Sequence, residues 1–206
     1  MSKDVSNTQS PSHCQVALRY ACELHWSIIP IEPNSKKPLI RWKVHQSFPA
    51  NEALIRNWFQ RFPDMSIGVV TGAVSGLTVV DFDSQEAYHE ALERGWSVTP
   101  TERTRRGIHA LFQNAGVGNR VRVLPGVDIR GEGGQFVVYP SPSRQWINSP
   151  FDVPLAVFPT WLMEHANQPE PCVTQNDCNI SDIVTGSKGL PVGGSHYGQK
   201  VLENCK

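Results

Sequence analysis

The segment from Gly76 to Ser84 constrains the fold more than any other part of the sequence. It begins with Leu-Thr-Val-Val, a run of β-branched and apolar residues that favours a buried strand. Asp81 and Asp83 follow, separated by one phenylalanine, and Ser84 stands where a helix N-cap is favoured. Residues two apart in a strand share a face, so both aspartates point the same way, with Cα atoms about 6.6 Å apart. The chain is therefore expected to place two carboxylates side by side where a strand leads into a helix.

The pair of aspartates has a specific chemical use. Two carboxylates held side by side repel each other unless a cation lies between them. Oxygen ligands at the end of a stiff strand suit Mg²⁺ or Mn²⁺, and many phosphoryl-transfer enzymes hold their metal ions in this way. Two solvent-exposed acids before a capped helix would give the same pattern, so the spacing of Asp81 and Asp83 is compatible with both interpretations.

Hydrophobic periodicity and turn residues predict the other elements. Helices are expected at about 12–26, 51–61, 84–94 and 160–166. Strands are expected at 27–31, 67–70, 77–82, 108–113, 121–123, 127–130 and 135–139. Residues 13–166 are expected to form one domain after a disordered N-terminus at 1–12. The polar composition of 167–206 predicts a linker and the start of a further helical domain.

Composition indicates a globular, intracellular protein. The chain has 206 residues, enough for a sizeable core, and no apolar run approaches the roughly 20 residues needed to cross a bilayer. The polar N-terminus does not resemble a secretory signal, so we expect a cytoplasmic protein that does not act at a membrane. The five cysteines are odd in number and scattered, which favours free thiols in a reducing compartment. A zinc site formed by Cys172, Cys178, His196 and Cys205 is the alternative, without any Cys-x-x-Cys pair to support it.

The distribution of charge is more informative than its sum. The formal net charge is zero, which alone argues against a nucleic-acid partner. Residues 33–51, however, contain four basic residues and no acid: Lys36, Lys37, Arg41 and Lys43. Residues 103–130 contain six arginines and one acid: Arg103, Arg105, Arg106, Arg120, Arg122, Arg130 and Asp128. This segregation favours an anionic partner, although a solvated surface can carry the same pattern.

Two further candidate residues lie in the middle of the chain. His109 is in a predicted strand, and the nearby Arg105 and Arg106 favour an anion such as a triphosphate beside it. A histidine among apolar residues can also be a core residue with satisfied hydrogen bonds. Asp128 precedes Arg130 by two residues and shares its strand face, so an ion pair between them is the simplest interpretation of Asp128 alone.

The order of these motifs resembles a known family. Asp-x-Asp follows an apolar strand at 81–83, Gly-x-His opens another strand at 107–109, and Val-Asp-Ile-Arg-Gly stands at 127–131 before a glycine turn. Four upstream segments fit the order expected for the same family: residues 29–38, Trp42-Lys43, Trp58-Phe59 and residues 66–72. Over residues 16–161 the sequence resembles the bifunctional primase-polymerase branch of the archaeo-eukaryotic primase superfamily, found on plasmids, phages and other mobile elements. The sequence departs from the family pattern at Arg106, where many members have the first of two glycines before the histidine. This difference affects the expected shape of the loop and leaves the assignment of the histidine unchanged.

The resemblance implies a fold and an activity. The fold would be α/β (α+β), with an N-terminal αβ unit and an RRM-like sheet carrying the catalytic acids. The activity would be template-directed nucleotidyl transfer, as a DNA primase and/or DNA polymerase, in replication of a mobile element with two Mg²⁺ or Mn²⁺ ions. Expected partners are single-stranded or primed DNA, nucleoside triphosphates and a C-terminal helical or helicase domain.

The resemblance also assigns roles to residues. The catalytic and metal-binding acids would be Asp81, Asp83 and Asp128. His109 would contact the phosphates of the incoming nucleotide. The candidate contacts to phosphate or template are Lys36, Lys37, Arg106 and Arg130.

Two other functions remain open from the residues alone. One is another Asp-x-Asp metal-dependent phosphatase or transferase. An enzyme like the haloacid dehalogenases would have Thr or Val at the position of Gln85, and its first acid would lie near the N-terminus. The other is a non-catalytic nucleic-acid-binding module that uses the basic stretches and tryptophans. That function leaves the three acids without a purpose, since acids near phosphate repel it without a metal ion.

Overall fold

The computed structural model describes residues 11–168. The predicted linker at 167–206 lies outside the described residues from 169 onward, as do the N-terminal residues 1–10. The candidate zinc ligands Cys172, Cys178, His196 and Cys205 also lie outside them. The division of the chain into 1–12, 13–166 and 167–206 therefore stays a prediction.

Residues 11–168 contain four α-helices: α1 (His13–Cys22), α2 (Glu52–Arg61), α3 (Gln85–Glu93) and α4 (Thr160–Ala166). Ser12, Asn51 and Ser84 cap the first three through side-chain oxygens that accept backbone N–H groups. Helix α1 ends at Cys22, four residues before the predicted end. It stops there because the chain reverses at His25, which has a φ of 58° and turns Trp26 back into the core. A short 3-10 helix, Lys43–Gln46, was not predicted.

Nine strands form two sheets in the described part of the chain. The smaller sheet contains β1 (Ser27–Ile31), β2 (Ser66–Val70) and β8 (Gln135–Val138), in the order β1-β2-β8. The larger contains β3 (Leu77–Phe82), β4 (Thr101–Arg103), β5 (Ile108–Gln113), β6 (Arg120–Leu124), β7 (Val127–Arg130) and β9 (Gln145–Asn148). Its order is β6-β7-β3-β5-β4-β9, and neighbouring strands are antiparallel. The fold is thus α+β with antiparallel sheets, as the family resemblance implied.

Alternation along β3 directs its side chains into two different cores. Val80 and Phe82 pack into a cluster that includes Leu162 of α4. Leu77 and Val79 belong to another cluster, which also contains residues of α1, α2 and the small sheet. Asp81 lies on the same face as Leu77 and Val79, because strand residues two apart point the same way. The carboxylate of Asp81 therefore follows the apolar side chains of Leu77 and Val79 on the face of β3 that packs towards the small sheet.

Within residues 11–168 the chain crosses between the sheets three times, the last time from β8 to β9. The turn at 71–76 leads from β2 into β3, and the glycine-rich turn at 131–134 leads from β7 back into β8. The two turns are joined directly, since Thr71 donates its hydroxyl to the carbonyl of Gly131 at 2.6 Å. No helix within residues 11–168 is long and apolar enough to cross a membrane.

Candidate active site

Four ionisable side chains form a row across the large sheet. Asp81 on β3 lies opposite Asp128 on β7 and opposite His109 on β5, and His109 lies opposite Glu102 on β4. The imidazole contacts both of its acidic neighbours. Its Nδ1 is 3.0 Å from Oε2 of Glu102, and its Nε2 is 3.4 Å from Oδ1 of Asp81. The strand register thus gathers residues that are distant in sequence.

Arg130 compensates the two aspartates of this row. Its guanidinium lies 2.8 Å from Oδ2 of Asp128 and 3.4 Å from Oδ2 of Asp81. The other oxygen of Asp128 accepts a hydrogen bond from the backbone N–H of Arg122 at 2.8 Å. The sequence alone made the Asp128–Arg130 pair the simplest interpretation of Asp128, and the pair is present. The guanidinium thus occupies a position between two carboxylates in which a positive charge is stabilised.

The environment keeps the site strongly charged. Burial acts to raise the pKa of Asp81, but the hydrogen bond to His109 and the charges of His109, Lys36 and Arg130 hold it well below its usual range. Burial acts to lower the pKa of His109, and its contacts with Asp81 and Glu102 outweigh this and raise it. An ionised carboxylate and an imidazole that retains its proton therefore stabilise each other here.

The loop at 104–107 lies tightly against the end of β3. A methyl group at Gly107 would overlap the carbonyl oxygen of Phe82, so only glycine fits there. Thr104 holds the turn, since its backbone N–H donates to the Gly107 carbonyl at 2.9 Å and its hydroxyl accepts from the Gly107 N–H at 3.0 Å. Arg106 is exposed. An arginine fits at position 106 because it is Gly107, and not residue 106, that lies against the Phe82 carbonyl.

A cavity of about 430 Å³ opens beside the row and has the size of a small-molecule site. Asp81, Asp83 and His109 line one part of its wall. Four cations line other parts: Lys36, Arg105, Arg106 and Arg144. A smaller cavity of about 150 Å³ shares Lys36, Asp81, His109 and Arg144 with it and adds Arg130. Carboxylates beside a cationic wall suit a ligand with several phosphates and an associated metal ion.

Comparison with known proteins identifies the family. The family described as "Bifunctional DNA primase/polymerase, N-terminal" matches residues 17–161, which is more than half of the chain. The chain belongs to this family. The prediction of a primase-polymerase domain is confirmed, and the matched range includes the whole row from Glu102 to Asp128 as well as Asp81. A search of curated proteins finds no match.

Membership in the primase/polymerase family supports a nucleotidyl-transfer activity of that type, with DNA and nucleotides as substrates. Members of the family generally depend on divalent metal ions. The side chains here fit such an ion in donor type, because carboxylate oxygens are its preferred ligands and Arg130 already shows a cation between Asp81 and Asp128. As the side chains stand, however, no three acidic, imidazole or thiol groups within residues 11–168 are close enough together to hold an ion.

The structure brings most of the predicted primase/polymerase residues to one place. Five of them line the larger cavity: Asp81, Asp83, His109, Lys36 and Arg106. Arg130 lines the smaller cavity. Asp128 and Lys37 line neither of these two cavities. Asp128 contacts Arg130 beside Asp81, whereas Lys37 lies in the 32–38 loop, where its carbonyl accepts from the Glu32 N–H.

Sequence reasoning missed two residues of the site, Glu102 and Arg144. Glu102 lies on β4, a strand of three polar residues that gives no hydrophobic pattern. Arg144 follows the Ser141-Pro-Ser turn before β9, and a basic residue after such a turn is normally expected in solvent. Its side chain is only 11 % exposed and lines both cavities. No local signal in the sequence indicates either position.

Proposed function

We propose that this domain adds nucleotides to the 3′ end of a DNA strand under the direction of a template, as a primase and/or polymerase. The observation that carries the proposal is the position of Asp81, which lies near the end of β3, opposite Asp128, and lines a cavity with a cationic wall. Such a cavity fits an incoming nucleoside triphosphate. The occurrence of related domains on plasmids and phages supports a role in replication of a mobile element.

The residues in and beside the cavity divide into two groups by charge. Asp81 and Asp83, which line it, and Asp128 beside Asp81 are the carboxylates that would hold Mg²⁺ or Mn²⁺. When bound, these ions stabilise the charge that develops on the attacking and leaving oxygens. Lys36, Arg106 and Arg144 supply positive charge for the triphosphate, and His109 adds a hydrogen-bond donor beside them.

The reaction forms one bond and breaks another at the α-phosphorus. The 3′-hydroxyl oxygen of the primer attacks this phosphorus, its proton passes to water, and the bond from the α-phosphorus to the oxygen that bridges to the β-phosphate breaks. Pyrophosphate leaves with the bonding electrons. The protein contributes by holding the two substrates in line and by placing cations around the phosphates, which lowers the barrier without a covalent intermediate.

Extension of a fluorescent primer on a DNA template tests the proposal. The full chain, with dNTPs and either Mg²⁺ or Mn²⁺, is expected to lengthen the primer, and omission of metal is expected to stop it. Asp81→Asn should abolish extension, while Asp64→Asn, a change of an exposed aspartate outside the cavity, should not. Hydrolysis of a simple phosphate ester without primer extension would instead favour a phosphatase. DNA binding without either reaction would favour a non-catalytic binding module.

A further inference from the structure

Glu102 is a buried acid whose partners are residues of the nucleotide cavity. It is fully buried, at 0 % exposure, and lines neither cavity. One oxygen of its carboxylate accepts the backbone N–H of Tyr139 at 2.6 Å. The other lies 3.0 Å from Nδ1 of His109 and 3.8 Å from Nε of Arg144. Two of its three partners therefore line the cavity that Glu102 itself does not reach.

A carboxylate in this position is costly unless its charge is compensated. Glu102 is compensated by His109 and Arg144, the two cationic groups nearest to it. A purely structural acceptor for the Tyr139 N–H would require no charge, since an amide or hydroxyl oxygen accepts the same hydrogen bond. The negative charge of Glu102 therefore acts mainly on His109 and Arg144, the two partners that line the cavity.

The contact with Glu102 sets which edge of the His109 ring faces the site. Because Nδ1 is held by Glu102, Nε2 is the nitrogen that points towards Asp81 and the cavity. The Nε2–Asp81 hydrogen bond is long, at 3.4 Å, so a phosphate oxygen in the cavity can compete with Asp81 for this N–H.

Arg144 is oriented in a comparable way. Its Nε donates to the carbonyl oxygen of Val137 at 3.0 Å, and Glu102 lies on the same side at 3.8 Å. Anchoring through Nε fixes the plane of the guanidinium and leaves its terminal nitrogens directed elsewhere. Since Arg144 lines both cavities, those nitrogens are placed for an anionic ligand.

We propose that Glu102 is a positioning residue for nucleotide binding: it orients His109 and Arg144 together so that both present N–H donors to the triphosphate of the incoming nucleotide. This inference rests on the proposed function. It concerns the binding of the triphosphate, which can be measured without the transfer reaction. Removal of a partner that orients a metal-binding histidine commonly changes metal affinity or activity by about ten- to a hundredfold, and we expect an effect of similar size here.

Glu102→Gln is the decisive variant. Its amide oxygen can still accept from the Tyr139 N–H, so the turn before β9 is retained, while the charge beside His109 and Arg144 is lost. Ser141→Ala is the matched control, since it removes a buried hydrogen bond to the Ile67 N–H from the same turn without touching either cation. Calorimetric titration with a dNTP and Mg²⁺ measures the Kd, primer extension measures KM and kcat, and thermal unfolding measures stability.

For Glu102→Gln we expect the Kd and KM for dNTP to rise about tenfold or more, with a much smaller change in kcat. Ser141→Ala should lower the Tm and leave Kd and KM within twofold of wild type. Equal Kd values for wild type and Glu102→Gln, or a Kd change in Ser141→Ala as large as in Glu102→Gln, would overturn the inference. A wild-type protein that binds dNTP but does not extend a primer would instead overturn the proposed function, and the Kd comparison would still decide the role of Glu102.

A second variant covers the case in which Glu102→Gln does not fold. Arg144→Lys keeps the positive charge but loses the Nε–H that Val137 and Glu102 anchor. It is expected to raise the Kd for dNTP by about tenfold. An unchanged Kd would show that an oriented guanidinium is not needed and would also overturn the inference.

Discussion

Asp81 and Asp128 lie directly opposite each other on neighbouring antiparallel strands, and the guanidinium of Arg130 bridges their carboxylates. Like charges opposite each other in a sheet are destabilising, so Arg130 stabilises the fold when no metal ion is bound. A divalent ion held by the same carboxylates would take over this compensation. The free energy of metal binding and the stability of the sheet are therefore linked at this pair.

Replacement of Arg130 by methionine tests this linkage. Without metal, Arg130→Met should lose roughly 1–3 kcal/mol of unfolding free energy, because two carboxylates lose a charged hydrogen-bond donor. Added Mg²⁺ should raise the Tm of Arg130→Met more than that of wild type, since the metal ion then replaces the positive charge lost with Arg130. Thermal unfolding in EDTA and in Mg²⁺ measures both effects. The control is Arg103→Met, an exposed arginine on β4; equal Mg²⁺ shifts in the two variants would contradict the linkage.

Substitutions of the two aspartates at the end of β3 should have different effects on stability but similar effects on activity. Asp81→Asn and Asp83→Asn should each reduce primer extension below about a tenth of wild type, because each would lose one of the carboxylates proposed to hold the metal ions. Asp81 is 13 % exposed and contacts His109 and Arg130, so Asp81→Asn should also destabilise the fold. Asp83 is exposed, and Asp83→Asn should leave the unfolding free energy nearly unchanged. Substantial extension by both variants at saturating metal would remove these residues from the metal site.

Substitution of His109 should weaken the use of nucleotide. His109→Gln keeps a polar side chain between Glu102 and Asp81 but removes the positive charge. We expect the KM for dNTP to rise about ten- to a hundredfold, as for loss of a hydrogen bond to a charged group. Affinity for primed DNA in a gel shift should change little. Normal KM with weakened DNA binding would assign His109 to the template instead.

Gly107 is expected to tolerate no side chain. Gly107→Ala would press a methyl group onto the Phe82 carbonyl, and relief requires the backbone beside Asp83 to move. Such overpacking costs about 1–3 kcal/mol, and the displacement of Asp83 should reduce primer extension. Gly118→Ala serves as the comparison, because no atom lies within 4 Å of a methyl group there. Denaturant unfolding should separate the two variants; equal stability would show that the 104–107 loop moves freely.

Tyr20 links helix α1 to the turn after β8. Its hydroxyl donates to the Tyr139 carbonyl at 2.9 Å and accepts from Nε1 of Trp146 at 2.9 Å. Tyr20→Phe leaves both partners unsatisfied and should cost about 1–3 kcal/mol in denaturant unfolding. Tyr88→Phe, whose hydroxyl makes no hydrogen bond within residues 11–168, should cost much less. A similar loss in both variants would mean that ring packing, and not the hydroxyl, is measured.

The segments predicted with correct bounds have strong local signals. Four predicted strands have the predicted bounds in the structure: residues 27–31, 77–82, 108–113 and 127–130. Each is a run rich in apolar residues next to turn residues. Strands β4 and β9 were missed because each is short and lacks an apolar alternation, and only pairing with their neighbours makes them strands. Pairing is a tertiary property that local sequence does not encode.

The same limit applies to the site. The shared face of Asp81 and Asp83 follows from the period of a strand. That Asp81 lies opposite both Asp128 and His109 follows only from the register of three strands, which no local pattern specifies. Glu102 enters the site through a fourth strand in the same register.

The strand order of the small sheet has a consequence for how the chain folds during synthesis. Strands β1 and β2 are complete by Val70, but their third partner, β8, is not made until Val138. Until then the nascent chain has an open sheet edge, which is a known starting point for aggregation. Strand β9, which covers the β4 edge beside Glu102, appears later still, at Gln145–Asn148. The site is therefore complete only after β8 and β9 have been made, and a chain that stalls before them carries the acids of β3 and β7 on a sheet whose β4 edge, beside Glu102, is uncovered.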